Sequence, residues 1–345
     1  MLEMPPGLAA VVAARLKTST QAKAEIASIL QPIETDLEAV TARIMEQLEH
    51  PVAKMVLYLI TAGGKRLRPS LVLLSGFSGL RTQRRGALID LAAAMELIHT
   101  ATLIHDDIID ESATRRTQPT FHTRFGTERA VLMGDYLYSI AFTVLAGIKE
   151  PYLTSHVADV CQQLSRGELL EVESRYNLQL TEEEYLAIIR DKTASLIAAC
   201  CHLGAWLSGA PSQVVEWMSE YGWNLGLAFQ VTDDCLDLTG TPRMLGKAVQ
   251  ADLEKGALSL PILRLYQRID RAQRAALFGP LTRRRIDRRA VAAIAKAAVA
   301  SGAVEDARRT AASFAQQAVD AAEAVGNGAA DALARLARYA VSRRT

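Results

Sequence analysis

Apolar side chains recur along most of the chain at the spacing of one helical face. The pattern begins in residues 17–49, where Ile29, Ile33 and Leu37 share a face. Pro32 falls inside this stretch and predicts a break or kink, because proline lacks the backbone N–H that a helix interior needs. The same periodicity predicts further helices over residues 51–61, 71–79, 87–109, 128–148, 155–176, from 181 onward, over 213–238 and from 290 onward. No convincing alternation with a period of two is present. The pattern therefore predicts an all-α fold, a bundle of ten or more helices around a central cavity.

One apolar helix ends in an acidic cluster, Asp106-Asp107-x-x-Asp110. Residues four apart on a helix lie about 5–6 Å from each other on one face, so Asp106 and Asp110 point the same way. Carboxylates this close repel one another unless a cation lies among them, and Mg²⁺ prefers such oxygen ligands together with substrate phosphates. Arg115 and Arg116 follow, and guanidinium groups suit phosphate oxygens. Taken alone, the cluster is equally typical of a solvated helix end.

A second apolar helix ends in the same way, with Asp233, Asp234 and Asp237. Two such clusters are improbable by chance. If the two helices face each other, six carboxylates surround one cavity. A neutral ligand has no need of so many carboxylates. The pair of clusters indicates bound divalent cations that hold a diphosphate.

A third candidate site lies upstream, where Gly64 and Lys65 are followed by Arg68 and Pro69. Glycines allow the backbone to turn and its amides to approach a ligand closely. Lys65 and Arg68 then supply positive charge for a second diphosphate. A glycine that ends a helix, followed by solvated basic residues, is the alternative interpretation.

These motifs, in this order, resemble those of the trans-isoprenyl diphosphate synthases, or polyprenyl synthetases. The matching segments are GGKRLRP at 63–69, HDDIIDESATRR at 105–116, MGDYLYSIAF at 133–142, DKTASL at 191–196, FQVTDDCLDLTG at 229–240 and LGK at 245–247. The resemblance implies one all-α prenyl diphosphate synthase domain over residues 1–345, with a motif-bearing core at about 50–265. Outside this core, only the helical character is similar.

The resemblance also assigns roles to individual residues. It implies Mg²⁺ as the cofactor, with catalytic metal ligands Asp106, Asp107, Asp110, Asp233, Asp234 and Asp237. It implies isopentenyl diphosphate binding by Gly64, Lys65, Arg68, His99 and Arg116. It implies allylic diphosphate binding by Arg115, Lys192, Thr193, Gln230 and Lys247, with catalytic Lys192 offsetting the charge of the leaving group. One departure is Ala257, where many members carry lysine; Lys255 lies two residues away.

The implied reaction is head-to-tail condensation of isopentenyl diphosphate with an allylic prenyl diphosphate. Two alternatives come from other classes. A class I terpene cyclase also carries an aspartate-rich helix, but its second motif normally has Asn, Ser and Glu ligands. A non-catalytic subunit of a heteromeric synthase usually lacks an aspartate motif, whereas this chain keeps both.

The residues before the first motif predict the length of the product. Short-chain members carry bulky aromatic residues four and five positions before the first aspartate, and this chain has Thr102 and Ala101. No ring then blocks the first three helical turns, about 16 Å. A long all-trans product, of the kind used in quinone side chains, is therefore expected. The growing chain should run along this helix, away from the diphosphate, and Phe142 or Tyr138 should close the far end of its channel. The alternatives are that the small residues serve close packing, or that the product is farnesyl or geranylgeranyl diphosphate.

Composition adds the expected setting of the protein. The formal net charge of +1 gives no reason to expect nucleic acid binding. The four cysteines lack metal-ligand spacing, which is typical of reduced thiols in a cytoplasmic protein. No signal peptide or transmembrane segment is expected, although release of an apolar product implies peripheral membrane contact. A hydrophobic content of 50% favours a homodimer, as is common in the family.

Overall fold

A computed structural model describes residues 21–48, 52–61, 66–77, 84–115, 118–240, 250–282, 287–326 and 328–343. The helices in these ranges are α1 (Gln21–Leu30), α2 (Glu34–Glu46), α3 (Val52–Thr61), α4 (Leu67–Gly76), α5 (Arg85–Ile109), α6 (Phe121–Phe125), α7 (Thr127–Gly147), α8 (Pro151–Ser174), α9 (Glu182–Ile189), α10 (Ser195–Leu207), α11 (Ser212–Thr239), α12 (Ala251–Glu254), α13 (Leu260–Arg268), α14 (Arg271–Thr282), α15 (Arg288–Ala300), α16 (Ala303–Val325) and α17 (Ala330–Ser342). The two short strands are β1 (Thr114–Arg115) and β2 (Gln118–Pro119), which pair antiparallel. The predicted all-α fold is confirmed.

Local sequence signals set several helix boundaries. A 3-10 turn, Gln31–Ile33, contains the proline predicted to interrupt the first helical stretch. The Thr181 hydroxyl accepts a hydrogen bond from the Glu184 N–H, and the Glu184 carboxylate accepts one from the Thr181 N–H. This capping box satisfies two backbone donors that the first helical turn leaves without partners. Helix α9 therefore begins where the sequence predicts.

Contacts between α8, α10 and α11 determine which helix ends meet. At one end of the bundle, the Tyr152 hydroxyl lies 2.8 Å from His202 Nε2, and His202 Nδ1 lies 2.9 Å from Ser219 Oγ. At the opposite end, Thr193 donates a 2.9 Å hydrogen bond to Gln230. Helix α10 therefore runs antiparallel to both α8 and α11. The end of α11, with its aspartates, lies beside the start of α10.

Glycines allow these helices to approach closely. A Cβ atom on Gly226 of α11 would lie 2.5 Å from the Ala194 Cα, and one on Gly167 of α8 would lie 2.4 Å from the Lys192 backbone nitrogen. Neither distance is sterically possible without movement of the backbone. The segment Arg190–Ala194 between α9 and α10 is a π-helical turn, and it is held between α8 and α11 at these two glycines. We call it the π-segment.

The first aspartate helix, α5, lies in the largest hydrophobic core and packs along α7. Helices α5 and α7 are long and apolar enough to cross a membrane by length and composition alone. In this fold, 56% of the most apolar window of α5 and 44% of that of α7 are buried against other parts of the protein. Both helices therefore serve as core helices of the bundle, and their apolar character is explained by packing.

Candidate active site

Three basic side chains surround the first aspartate motif at the end of α5. Arg115, from β1, donates to Asp107 at 2.8 Å. Arg175, just after α8, contacts one carboxylate oxygen of Asp110 at 3.0 Å, and Lys255 contacts the other at 3.3 Å. Lys255, two residues before Ala257, thus reaches the first motif. The protein itself supplies much of the positive charge that this motif needs.

Asp106, the first residue of the motif, faces Lys192 across the site. Partial burial raises the pKa of Asp106 to about 7, against the attraction of Lys192. The negative charges of Glu168 and Asp110 raise this pKa further, and Arg115 lowers it. Negative charge on Asp106 is therefore costly, and a cation bound nearby would favour the ionised form.

Lys192 is held by two acidic residues of α8. Its ammonium group lies 2.7 Å from Glu168 and also hydrogen-bonds Glu171. Burial alone would lower the pKa of Lys192, but the charges of Glu171, Glu168 and Asp106 outweigh it and raise this pKa above its usual value. Lys192 is therefore a permanent cation. Glu168 and Glu171 therefore hold this lysine.

The π-segment positions Lys192 and its neighbour Thr193. The Arg166 side chain donates a 2.7 Å hydrogen bond to Asp191, which ties the segment to α8. Helices with single π turns are common at functional sites, because the wider turn redirects side chains that a regular helix would place elsewhere. Here the two adjacent residues face opposite parts of the site: Lys192 lies beside the first motif, and Thr193 contacts Gln230 near the second.

In the second motif, at the end of α11, Asp234 is held by neutral donors. Asp234 is 6% exposed and accepts hydrogen bonds from the Tyr185 hydroxyl at 2.5 Å and from the Gln230 side-chain amide at 2.8 Å. Burial raises the pKa of Asp234 to about 8, although the two hydrogen bonds lower it. The Thr193 hydroxyl donates to the oxygen of the same Gln230 amide. A continuous hydrogen-bonded path therefore joins the π-segment to Asp234.

The end of the chain reaches Asp233, the first residue of this motif. The guanidinium of Arg343 lies 2.9 Å from the Asp233 carboxylate and stacks 3.8 Å from the centre of the Phe229 ring. It also donates to the Phe229 carbonyl at 2.8 Å. The third aspartate, Asp237, is buried, and its backbone carbonyl accepts a 3.0 Å hydrogen bond from the Gln250 N–H.

Two residues assigned to isopentenyl diphosphate lie near the motifs. Arg68, early in α4, interacts electrostatically with Glu96 and with Asp233, and burial lowers the pKa of its guanidinium. His99 is half-buried in α5, two turns before the first aspartate. The other residues given roles by the resemblance lie outside the described residues; they are Gly64, Lys65, Arg116 and Lys247. The structure therefore describes only some of the basic residues that the resemblance assigns to diphosphate binding.

The four residues assigned to product length lie on α5 and α7. Ala101 has no exposed surface, whereas Thr102 is half-buried and donates a hydrogen bond to the His99 carbonyl at 2.8 Å. On α7, the half-buried Tyr138 ring packs against His105, and the half-buried Phe142 lies one turn further along. These positions remain a prediction as determinants of product length.

The donor set fits a hard divalent cation that shares its ligands with a substrate. Within the described residues, no three His, Cys, Asp or Glu side chains converge closely enough to hold one ion. Mg²⁺ uses one or two carboxylates per ion and completes its shell with water and phosphate oxygens. Half-buried Asp106 and buried Asp234 supply carboxylate oxygens whose raised pKa values reflect the cost of isolated negative charge. These residues suit Mg²⁺ bound with a diphosphate.

Sequence reasoning missed three residues that contact the aspartate motifs: Tyr185, Arg175 and Arg343. Arg175 and Arg343 are 65 and 110 residues distant from the aspartates they contact, so no local spacing identifies them. Tyr185 had a usable signal, since its helix leads directly into the Lys192-Thr193 pair. Its hydroxyl contacts the second motif, on the side of Thr193.

Comparisons with known proteins agree with this geometry. The polyprenyl synthetase family model matches residues 49–298. Heptaprenyl diphosphate synthase component 2 of Geobacillus stearothermophilus is 38% identical over 255 residues, which cover 73% of this chain and 77% of that protein. Geranylgeranyl diphosphate synthase of Methanosarcina mazei is 39% identical over 219 residues, covering 61% of this chain and 66% of that protein.

A solved structure extends the similarity to the whole fold. The crystal structure of a polyprenyl synthase from Caulobacter crescentus CB15, complexed with calcium and isoprenyl diphosphate, superposes with a TM-score of 0.88 at 33% identity. The match covers 93% of this chain and 98% of that one. With both aspartate motifs in place at one end of a helical bundle, the chain belongs to the polyprenyl synthetase family and is a prenyltransferase.

Proposed function

We propose that this enzyme uses Mg²⁺ to condense isopentenyl diphosphate with an allylic prenyl diphosphate and makes a long all-trans polyprenyl diphosphate. One observation carries the proposal: the π-segment presents one side chain toward each aspartate motif. Lys192 acts on Asp106, and Thr193 reaches Asp234 through Gln230. A diphosphate bound between the motifs would meet oxygen ligands for cations on two sides and a fixed ammonium group beside them.

In the proposed reaction, the allylic C–O bond breaks and negative charge develops on the departing diphosphate. Bound Mg²⁺ supplies Lewis-acid stabilisation of that charge. Lys192 adds a permanent positive charge, and Arg115, which pairs with Asp107, adds a second one. Glu168 and Glu171 keep the ammonium of Lys192 in place before substrate arrives.

Isopentenyl diphosphate is proposed to bind on the side of Arg68 and His99, with its double bond toward the allylic carbon. The new C–C bond forms between them, and a proton then leaves to the released diphosphate, so no protein base is needed. Apolar helices shelter the allylic cation from water. The core around α5 provides that shelter, with Ile98 and Ile104 buried in the helix that ends in the first motif.

A direct experiment tests the reaction and the product length together. Purified protein is incubated with Mg²⁺, farnesyl diphosphate and labelled isopentenyl diphosphate, and the products are separated by chain length. We expect products longer than geranylgeranyl diphosphate, in line with the small residues at positions 101 and 102. No transfer of label into any prenyl product would contradict the proposed function.

A shorter product is the second candidate. Ala101 and Ile98 have no exposed surface, so this face of α5 is filled by neighbouring side chains rather than open. The similarity to the geranylgeranyl diphosphate synthase of Methanosarcina mazei also favours a shorter product. Ala101→Phe distinguishes the two, provided its melting temperature stays close to wild type. Truncated products with an intact first condensation support the channel along α5, and an unchanged product distribution opposes it.

We also propose that two copies of the chain associate through exposed apolar residues near the first motif. Ile109 at the end of α5 is 41% exposed, and Val131 and Leu132 early in α7 are 43% and 66% exposed. These helix ends adjoin, because His105 lies 3.2 Å from the Val131 carbonyl. Exposed apolar patches of this kind favour association.

Sedimentation analysis tests this homodimer. Leu132→Glu should shift the protein toward monomer at micromolar concentration, whereas the control Val299→Glu, at an apolar residue that is 53% exposed on α15, should not. A wild-type monomer would contradict the proposal. Because a similar protein is named as component 2 of a synthase, activity of the purified chain alone also decides whether a different partner is required.

The four cysteines are free thiols. Burial raises the pKa of Cys201 to about 12 and the pKa of Cys235 to about 12, so neither is a reactive thiolate. This chemistry fits the expected cytoplasmic setting, which we retain as part of the proposal. Peripheral contact with a membrane for release of a long product remains a further part of it.

A further inference from the structure

The hydroxyl of Tyr185 is aimed at a metal-motif carboxylate from a separate helix. Tyr185 lies on α9, is 4% exposed and donates its hydrogen bond to Asp234 at 2.5 Å. The two residues are 49 positions apart, so the contact depends on the packing of α9 against α11. Tyrosine offers one O–H donor, and a carboxylate is a charged acceptor, which makes this a strong class of hydrogen bond.

The second oxygen of the same carboxylate is also fixed. Gln230 donates to Asp234 from its amide nitrogen at 2.8 Å, and its amide oxygen accepts from the Thr193 hydroxyl at 2.9 Å. An ionised carboxylate only accepts hydrogen bonds, so the NH₂ group of Gln230 must point to Asp234, and the amide oxygen is left to accept from the Thr193 hydroxyl. Both carboxylate oxygens are thus held by neutral donors whose own orientations are fixed.

This arrangement leaves the carboxylate able to bind a cation. A carboxylate has about four acceptor sites, and the two hydrogen bonds occupy two of them. Neutral donors orient the group without cancelling its negative charge, unlike the cations around the first motif. Groups that hydrogen-bond a metal-ligating carboxylate fix its direction, and their loss weakens metal binding.

We propose that Tyr185 is a positioning residue for the second aspartate motif, holding Asp234 in the orientation in which it binds the cation and diphosphate. The inference rests on the proposed function, because it takes Asp234 as a metal ligand. Tyr185 also packs in the second hydrophobic core, with Ile188 and Leu263 among its members. A role in packing alone predicts a loss of stability without a change in metal affinity.

The test is Tyr185→Phe in the full-length protein, with Mn²⁺ and inorganic diphosphate as the probe. Binding is measured from the signal of free Mn²⁺ in electron paramagnetic resonance, so the readout is independent of turnover. We expect the Mn²⁺ concentration at half-saturation to rise by about tenfold, the lower end of the effect of removing such a partner. With prenyl substrates, kcat should fall, and the Mg²⁺ requirement should rise in parallel.

Tyr221→Phe is the matched control. Tyr221 is fully buried on the same helix as Asp234, and its hydroxyl donates to the Leu333 carbonyl at 2.9 Å, away from both motifs. This variant loses one buried hydrogen bond of the same chemical type and should shift Mn²⁺ half-saturation by less than about twofold. Equal shifts in the two variants, or no shift in Tyr185→Phe, would overturn the proposal.

A double-mutant cycle provides the second measurement. If Tyr185 acts through Asp234, the phenylalanine substitution adds nothing in an Asp234→Asn background, and the two effects are non-additive. Additive effects would overturn the proposal. Failure of the proposed function can be told apart from failure of the role of Tyr185, because a protein without prenyl transfer can still show the shift in Mn²⁺ binding. Normal prenyl transfer with no shift would reject only the role of Tyr185.

Discussion

The two aspartate motifs have similar sequences but different surroundings. At the first motif, Arg115, Arg175 and Lys255 contact the carboxylates directly. At the second, Tyr185 and Gln230 hold Asp234 as neutral donors. The first motif is therefore compensated mainly by charge, whereas the second combines an ion pair between Arg343 and Asp233 with hydrogen bonds from neutral donors to Asp234. We expect cations bound at the first motif to compete with these basic side chains for the carboxylate oxygens.

The largest effects on kcat should come from loss of the aspartates themselves. Asp106→Ala and Asp233→Ala should each lower kcat by about 10²–10³-fold or more, because each removes an oxygen ligand that supports charge on the leaving group. The measurement is incorporation of labelled isopentenyl diphosphate, with circular dichroism to verify folding. Near-wild-type turnover in either folded variant would mean that its motif does not take part.

A second prediction concerns the lysine that acts on the first motif. Lys192→Met should lower kcat by about 10²-fold, because the permanent charge beside the leaving diphosphate is lost. It should also lower the melting temperature, since Glu168 and Glu171 lose their cation. The control is Glu168→Gln with Glu171→Gln in the same background, which should restore stability but not kcat. Restored turnover in that triple variant would show that Lys192 has only a structural role.

The third prediction uses competition between protons and metal. Burial raises the pKa of Asp106 to about 7 and that of Asp234 to about 8. Because a cation must displace these protons, the Mg²⁺ concentration for half-maximal activity should rise as pH falls from about 8.5 to about 6.5, by up to about tenfold per unit. Asp234→Asn should flatten the upper part of this profile. A profile independent of pH in the wild type would contradict the assignment.

The same pKa values determine the sign of a stability effect. Both folded-state values lie above the ordinary aspartate value of 3.8, so the folded protein binds more protons than the unfolded chain between about pH 4 and pH 8. These groups therefore stabilise the metal-free protein at low pH, and this contribution is lost as pH rises through the folded-state values. Mg²⁺ with inorganic diphosphate should reduce the dependence, as differential scanning fluorimetry would record.

The smallest effect should come from the cation at the second motif. Arg343→Ala removes the stack on Phe229 and should lower the free energy of unfolding by about 1–2 kcal/mol, measured with chemical denaturant. The effect on kcat should be only a few-fold, because Asp234 keeps its two donors. A large loss of kcat at unchanged stability would show that the second motif depends on charge as much as the first does.

Much of the architecture was predictable because its signals are local. The helical periodicity, the break near Pro32 and the Thr181 cap each depend on neighbouring residues, and each is present in the structure. Both aspartate motifs were equally evident, since their spacing is carried by single helices. The six carboxylates of the two motifs also indicated that both motifs lie at the same end of the bundle.

The remaining features depend on packing between distant segments. Arg175 reaches Asp110 and Arg343 reaches Asp233 only because helices far apart in sequence cross at those points. The pairing of Lys192 with Glu168 and Glu171 similarly required the close approach of α8, which Gly167 permits. Ala101 has no exposed surface because other parts of the chain cover it, and the spacing of residues on α5 does not show which parts these are.

The wide turn at Arg190–Ala194 also sets the rotational phase of the two helices it joins. Tyr185 and Thr193 are eight residues apart, slightly more than two turns of a regular helix, yet both contact α11. The turn absorbs the surplus residue, so the helices before and after it present matching faces to the same neighbour. A chain shorter by one residue here would form an unbroken α-helix, and it would have to rotate either Tyr185 or the Lys192–Thr193 pair away from its partner.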